Sequence, residues 1–240
     1  MSEAISIHHA RRVHCLYEPN SWAFAEENRA RIDAHWAGLV AKKPALFNGK
    51  VLMLHRWSLE DEAFTGAFFM TDYKNMLAWR DFGHPDTARW NCFAMAALQS
   101  ADGAFLLGEM GEHTANGGAI YFAAGTPDPS DLSGDEVDLT GSVLRELEEE
   151  TGISPADLNL PDHWTIVIHR QRIALMRPVL SPLPAEALKK RIEAFLATEE
   201  TPELRRMHIV RAVGDLVEDR MPLFQRAFLA HALNGGLRSD

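Results

Sequence analysis

Apolar positions recur along the chain with two periods. Phe24, Asn28, Ile32, Trp36, Leu39 and Val40 keep a helical stripe over residues 21–43, with Ser21 placed to cap the helix and Pro44 to stop it. Val51 to Trp57 alternates and Ala63 to Met70 is almost continuously apolar, which predicts two strands. Thr71 and Asp72 then open a short helix through Tyr73, Met76, Leu77 and Trp79. Beyond the His84-Pro85-Asp86 turn signal the pattern becomes a hairpin, Cys92 to Gln99 and Ala104 to Met110 around Ser100-Ala101-Asp102-Gly103. A polar loop with Asn116-Gly117-Gly118 leads into a strand from Ala119 to Ala123. Strands follow at Trp164 to Ile168, Ile173 to Arg177 and Met207 to Val213, and helices at Pro184 to Ala197 and Pro222 to Leu233. The turn near residue 85 predicts an accessory region at 1–88 and a second domain at 89–240.

Composition narrows the function. A net charge of −10 gives no basic face for a nucleic-acid backbone, so nucleic acid is excluded as the main partner. No apolar run approaches the length of a membrane span, and the N-terminus lacks the apolar stretch of a signal peptide. Cys15 and Cys92 cannot form a disulfide framework, which points to a reducing, cytoplasmic setting. The 11 histidines show no ligand spacing and read as surface or core residues. Trp79, Trp90 and Trp164 are expected in core or domain contacts.

The chemistry lies between the hairpin and Trp164. In Arg145-Glu146-Leu147-Glu148-Glu149-Glu150-Thr151-Gly152-Ile153, a helix carries Val143, Leu144 and Leu147 toward a core. Glu146, Glu149 and Glu150 fall at i, i+3 and i+4 and share another face. Glu148 to Glu150 crowd the turn before Gly152, where the helix dipole is already negative. A hard divalent cation such as Mg2+ takes oxygen ligands and would relieve that repulsion.

At these residues the sequence resembles the Nudix hydrolase family, whose signature is G-x5-E-x7-R-E-U-x-E-E-x-G-U with U aliphatic. The second half is matched at every specified position. The first half is out of register: Val137 stands where the first Glu belongs and Asp131 where the Gly belongs. The stretch Tyr121 to Pro129 looks like the strand and loop that open the motif, with Ala124-Gly125 where two glycines are usual. Counted from Gly125, nineteen residues precede Arg145 where the signature has thirteen, an insertion of six within the loop-like segment Pro129 to Asp138. Glu136 and Asp138 are the nearest substitutes for the missing Glu.

The resemblance implies an α/β fold, a Nudix-type α/β/α sandwich with a mixed sheet, preceded here by a small α+β N-terminal region. It implies hydrolysis of a nucleoside diphosphate linked to a group X, with Mg2+ or Mn2+, giving a nucleoside monophosphate and X-phosphate. Glu146, Glu149 and Glu150 would then be the metal ligands, Arg145 would orient Glu149, and Glu148 would be solvated. A general base would come from a motif glutamate or from Glu199 or Glu200 in a later loop. Gly125 and one or both of Arg170 and Arg172 are expected to meet the substrate. Leu46-Phe47-Asn48-Gly49-Lys50, Phe69 to Arg80 and Gly125 to Pro129 look like parts of UDP-sugar-hydrolysing Nudix enzymes with an N-terminal accessory domain. UDP-sugars are therefore the first expectation, with ADP-ribose or a CoA-type diphosphate next. A nucleotide sensor of the same fold and an isoprenyl-diphosphate isomerase are the other classes; the isomerase needs metal-binding His and Glu positions that cannot be placed. A homodimer is a further expectation for such an enzyme.

Overall fold

A computed structural model describes residues 5–114 and 116–236 of the chain. The first part comprises β1 (Ser6–Ala10), β2 (Arg12–Tyr17), α1 (Ala23–Glu27), α2 (Arg29–Lys42), β3 (Lys50–Glu60), β4 (Ala63–Asp72) and α3 (Tyr73–Asp81). Then come β5 (Asn91–Gln99), β6 (Phe105–Met110), β7 (Ile120–Tyr121), β8 (Leu132–Ser133), β9 (Glu136–Val137) and α4 (Leu139–Thr151). The chain continues through β10 (Trp164–His169), β11 (Arg172–Leu180), α5 (Ala185–Leu196), β12 (Leu204–Val210) and α6 (Leu223–His231).

Most predicted elements are present, and the differences have local causes. The helix expected over 21–43 breaks at Asn28, whose φ of −106° and ψ of 15° leave the helical region. The Asn28 side chain donates to the Phe24 carbonyl at 2.9 Å, the competition with backbone bonding that makes Asn a poor mid-helix residue. Trp22, not Ser21, holds the N-cap position, and no side chain caps that end. The strand expected at Ala119 to Ala123 contracts to β7, and β12 starts earlier and ends sooner than expected. Strands β1 and β2 were not predicted, because histidine and arginine mask their alternation.

Two sheets carry the architecture. The large one runs β1-β10-β11-β5-β6-β12 with β7 against β6, and the small one runs β3-β4-β2-β9-β8. Alternation on β5 sends Cys92, Ala94, Ala96 and Leu98 to one face, where they meet α4 and α5. It sends Met95 and Ala97 to the other, where they meet Phe224, Phe228 and Leu229 of α6. Helices on both faces of a mixed sheet make the α/β/α sandwich. In the small sheet Leu52 and Leu54 of β3 join the same core as α4, while Val51 and Met53 face Ile32, Met76 and Trp79 of α2 and α3.

The sheets exchange strands across the turn near residue 85. β1 completes the large sheet by pairing with β10. The inserted segment folds as β8 and β9, and β9 pairs with β2 of the small sheet at Leu16 and Glu136. Leu52 N–H also donates to the Pro127 carbonyl at 2.7 Å. The N-terminal region is thereby tied to the motif loop by backbone hydrogen bonds.

One buried acid closes the opposite edge. The Glu109 side chain on β6 is 2% exposed, and its oxygens lie 2.6 Å from Arg206, 2.8 Å from His208 and 2.7 Å from Arg220, with Arg205 at 3.7 Å. Burial would raise its pKa, but the hydrogen bonds with His208, Arg206 and Arg220 win and hold it at about 2. The stabilisation is therefore present above the ordinary carboxylate range and is lost as pH falls through about 2. Glu109→Gln should cost roughly 2 kcal/mol at neutral pH, as hydrogen bonds to charged groups do, and should flatten the decline in stability between about pH 5 and 2. Urea denaturation across that range checks this; parallel acid limbs for the two proteins would remove Glu109 as the cause.

Candidate active site

The end of α4 is fixed by its apolar side. Leu139, Val143 and Leu147 are buried in the core shared with β5, each burial contributing about 2 kcal/mol. Asp138 caps the start by accepting from Gly141 N–H at 2.8 Å. Gly152 ends the helix with φ of 66°, a left-handed cap suited to glycine. A methyl group there would also strike the Phe195 ring, so α5 packs directly on the helix end. The polar side of α4 is left facing a cleft.

That cleft, about 270 Å³, is lined by Glu146, Glu149 and Glu150 from α4 and by Glu199 and Glu203 from the α5–β12 connection. Its three helical acids differ in setting. Glu149 has a 61% exposed side chain, Glu146 is 20% exposed, and Glu150 is buried with its Oε2 lacking any hydrogen-bond partner. Burial above all, then the charges of Glu146 and Glu203, push the Glu150 carboxyl up to about 8, partly offset by a hydrogen bond from the Ala124 backbone. Burial also raises Glu146, against the opposing effect of Arg145.

Arg145 is bound more tightly to Glu146, at 2.9 Å, than to Glu149, at 3.5 Å. Its other nitrogen donates to Asp131 at 2.8 Å. Asp131 is therefore the acid that answers the motif arginine. The two substitutes weighed for the missing first Glu do other work: Asp138 caps α4, and Glu136 lies 3.6 Å from His14. Asp128 and Asp131 form a reciprocal capping pair, a spacing that was visible in the sequence as Asp-Pro-Ser-Asp.

Gly125 sits against Glu146, where a methyl group would lie 2.5 Å from the carboxylate oxygen. A second pocket, about 210 Å³, lies along Ala124 and Gly125 and contains Arg172. Arg170, in the left-handed region with φ of 54°, lines a different hollow with His84 and Thr87. Glu199 reaches the cleft; Glu200 is exposed and is not among its lining residues. Glu203 is, and nothing in the sequence singled it out.

Carboxylates in this number fit a hard divalent cation by donor chemistry, and the buried Glu150 oxygen that lacks a hydrogen-bond partner is a donor such a cation could use. Among the described residues no three His, Cys, Asp or Glu side chains are gathered tightly enough to form a ready-made metal centre. The acids share a cleft, with Glu146 turned toward Arg145.

No family model and no curated protein matches the chain. The chain is similar in structure to a Nudix hydrolase. That protein, RenU of M. smegmatis, is 13% identical over 62% of this chain and 88% of its own, with a TM-score of 0.39. The MutT protein of Methanosarcina mazei Go1 is 18% identical over 62% of this chain and 96% of its own, TM-score 0.40. The E. coli ORF135 protein is 18% identical over 63% of this chain and 96% of its own, TM-score 0.38. At these identities and TM-scores no activity and no residue role is taken from the likeness. Among the described residues no helix is long and apolar enough to cross a membrane.

The Asp131–Arg145 pair yields a direct test. Asp131→Asn keeps an acceptor for Asp128 N–H but removes a buried charge from Arg145, and should destabilise the protein by roughly 2 kcal/mol. Urea denaturation measures it; unchanged stability would mean that Arg145 is held by the glutamates alone.

Proposed function

We propose that the chain is a Nudix-type pyrophosphohydrolase that uses a divalent cation, Mg2+ or Mn2+, to cleave a nucleoside diphosphate linked to a group X. UDP-sugars are the favoured substrates. The observation that carries this reading is one cleft lined by Glu146, Glu149 and Glu150, the acids at the motif's specified positions. A bound cation would supply charge neutralisation at the diphosphate and a more acidic water.

The remaining steps belong to this chain's own side chains. Glu146, Glu149 and Glu150 would hold the cation, and Arg145 limits the swing of Glu146 through their 2.9 Å contact. Gly125 leaves room for the Glu146 carboxylate, which a methyl group there would strike. Glu199 or Glu203, at the cleft wall, would accept the proton of the attacking water. Water adds its oxygen to one phosphorus, the bridging oxygen leaves with the other, and the products are nucleoside monophosphate and X-phosphate.

The preference for UDP-sugars rests on the resemblance at Leu46 to Lys50 and Phe69 to Arg80. These stretches meet in the fold: Lys74 N–H donates to Asn48 at 2.9 Å, and Tyr73 N–H donates to the Gly49 carbonyl at 2.9 Å. Tyr73 also lines the pocket beside Gly125. ADP-ribose and CoA-type diphosphates are the alternatives for the same chemistry. A nucleotide sensor is disfavoured, because all three acids are retained.

A panel of nucleoside diphosphate derivatives assayed with Mg2+ or Mn2+ tests the reading, with products identified by mass spectrometry in heavy-oxygen water. Glu149→Gln should lower turnover by roughly a hundredfold or more, the loss of a ligand exceeding that of an outer-shell partner. Its melting temperature should hardly change, since the side chain is exposed. Turnover near that of the unaltered protein would overturn the assignment.

A further inference from the structure

The pocket beside Gly125 contains two arginines, and no acidic side chain is among the described residues that line it. Arg172 opens β11, whereas Arg80 comes from α3, in the N-terminal region. The Arg172 guanidinium lies over the Phe224 ring at 5.3 Å, and among the described residues no carboxylate stands within ion-pair distance of it. Burial first, and Arg80 second, disfavour the charge on Arg172. Arg80 is bound to Asp81 at 2.8 Å, an acid shared with His35 and outside the pocket wall. Like charges facing a confined space call for an anion.

The rest of the wall is planar and amide-bearing. Phe93 and Tyr121 present rings, and Asn91 and Asn116 present amides that can pair with the polar edge of a base. Asn116 donates to the Tyr121 hydroxyl at 3.1 Å, fixing both. The strip of Ala124 and Gly125 connects this pocket to the acids: Gly125 abuts Glu146, and the Ala124 backbone bonds to Glu150.

We propose that this pocket binds the nucleoside half of the substrate, with Arg80 and Arg172 on the phosphate oxygens attached to it and the rings and amides on the base. The N-terminal region then supplies part of the substrate site through α3. The choice of a nucleotide rests on the hydrolase reading, but the binding itself requires no turnover.

Calorimetry on the full chain in EDTA separates the two. The probes are the four nucleoside 5′-monophosphates, the corresponding nucleosides and inorganic phosphate. At least one monophosphate should bind tenfold or more tightly than both its nucleoside and phosphate. Arg80→Ala and Arg172→Met should each weaken it tenfold or more and, in turnover, raise KM much more than they lower kcat. Arg80 is 42% exposed, so its variant keeps the fold even where Arg172→Met does not. The proposal is overturned where no monophosphate outcompetes its nucleoside, or where Arg80→Ala binds as the unaltered chain does. Binding as expected without any turnover supports the pocket and sinks the hydrolase; turnover without Arg80 dependence does the reverse.

Discussion

The constraint that organises this molecule is the crowding of like charge at one helix end. Glu146, Glu149 and Glu150 occupy the last two turns of α4, where the backbone dipole is itself negative and no basic residue stands in the last turn. Glu199 and Glu203 approach the same space from the α5–β12 connection. Left alone, that end would fray to let the acids separate. It is held by the apolar side of the helix in the core, by the left-handed turn at Gly152, and by Phe195 packed on that turn. Folding energy from the core thus maintains an electrostatically unfavourable surface, a conflict between local and global preference that is characteristic of functional sites.

Arg145 answers part of this charge. It is itself anchored by Asp131, whose side chain is 2% exposed. Asp131 belongs to the segment inserted into the motif, and the same segment forms β8 and β9 against β2. The insertion therefore does two things at once: it restores an acidic partner for the arginine, and it joins the motif loop to the small sheet. The backbone bond from Leu52 to Pro127 ties that loop to β3 as well. These links join the two sheets at the loop that positions Gly125 against Glu146.

What could be read from the sequence follows from the range of each interaction. The acid cluster, its glycine cap and the apolar stripe beneath it are set by i, i+3 and i+4 spacing, so they were legible. So were β3, β4, β5 and β6, whose apolar runs are long and bounded by turns. The role of Asp131 was not, because its partner lies 14 residues away and the register of the motif had slipped. Glu203 was missed for a similar reason: it meets the acids of α4 only after β12 pairs with β6. β1 and β2 escaped because histidine and arginine mask their alternation and their partners, β10 and β4, are distant in sequence. Arg170 and Arg172 were equivalent on paper; the turn between β10 and β11 sends them to different hollows.

The strip of Ala124 and Gly125 divides two fields of opposite sign. On one side are carboxylates with an orphaned oxygen and a raised pKa, on the other two arginines with no acid among the described lining residues. A neutral ligand would leave the acids and Arg172 uncompensated. A cation alone would quiet the first and leave the second, and a simple anion the reverse. The proposed substrate, anionic along a short diphosphate and joined to an uncharged ring system, would meet the arginines on one side of the strip, while Glu146, Glu149 and Glu150 would hold a cation on the other. On the proposed reading the cation would offset the acids and the diphosphate the arginines, and residue 125 must stay small because a methyl group there would strike Glu146.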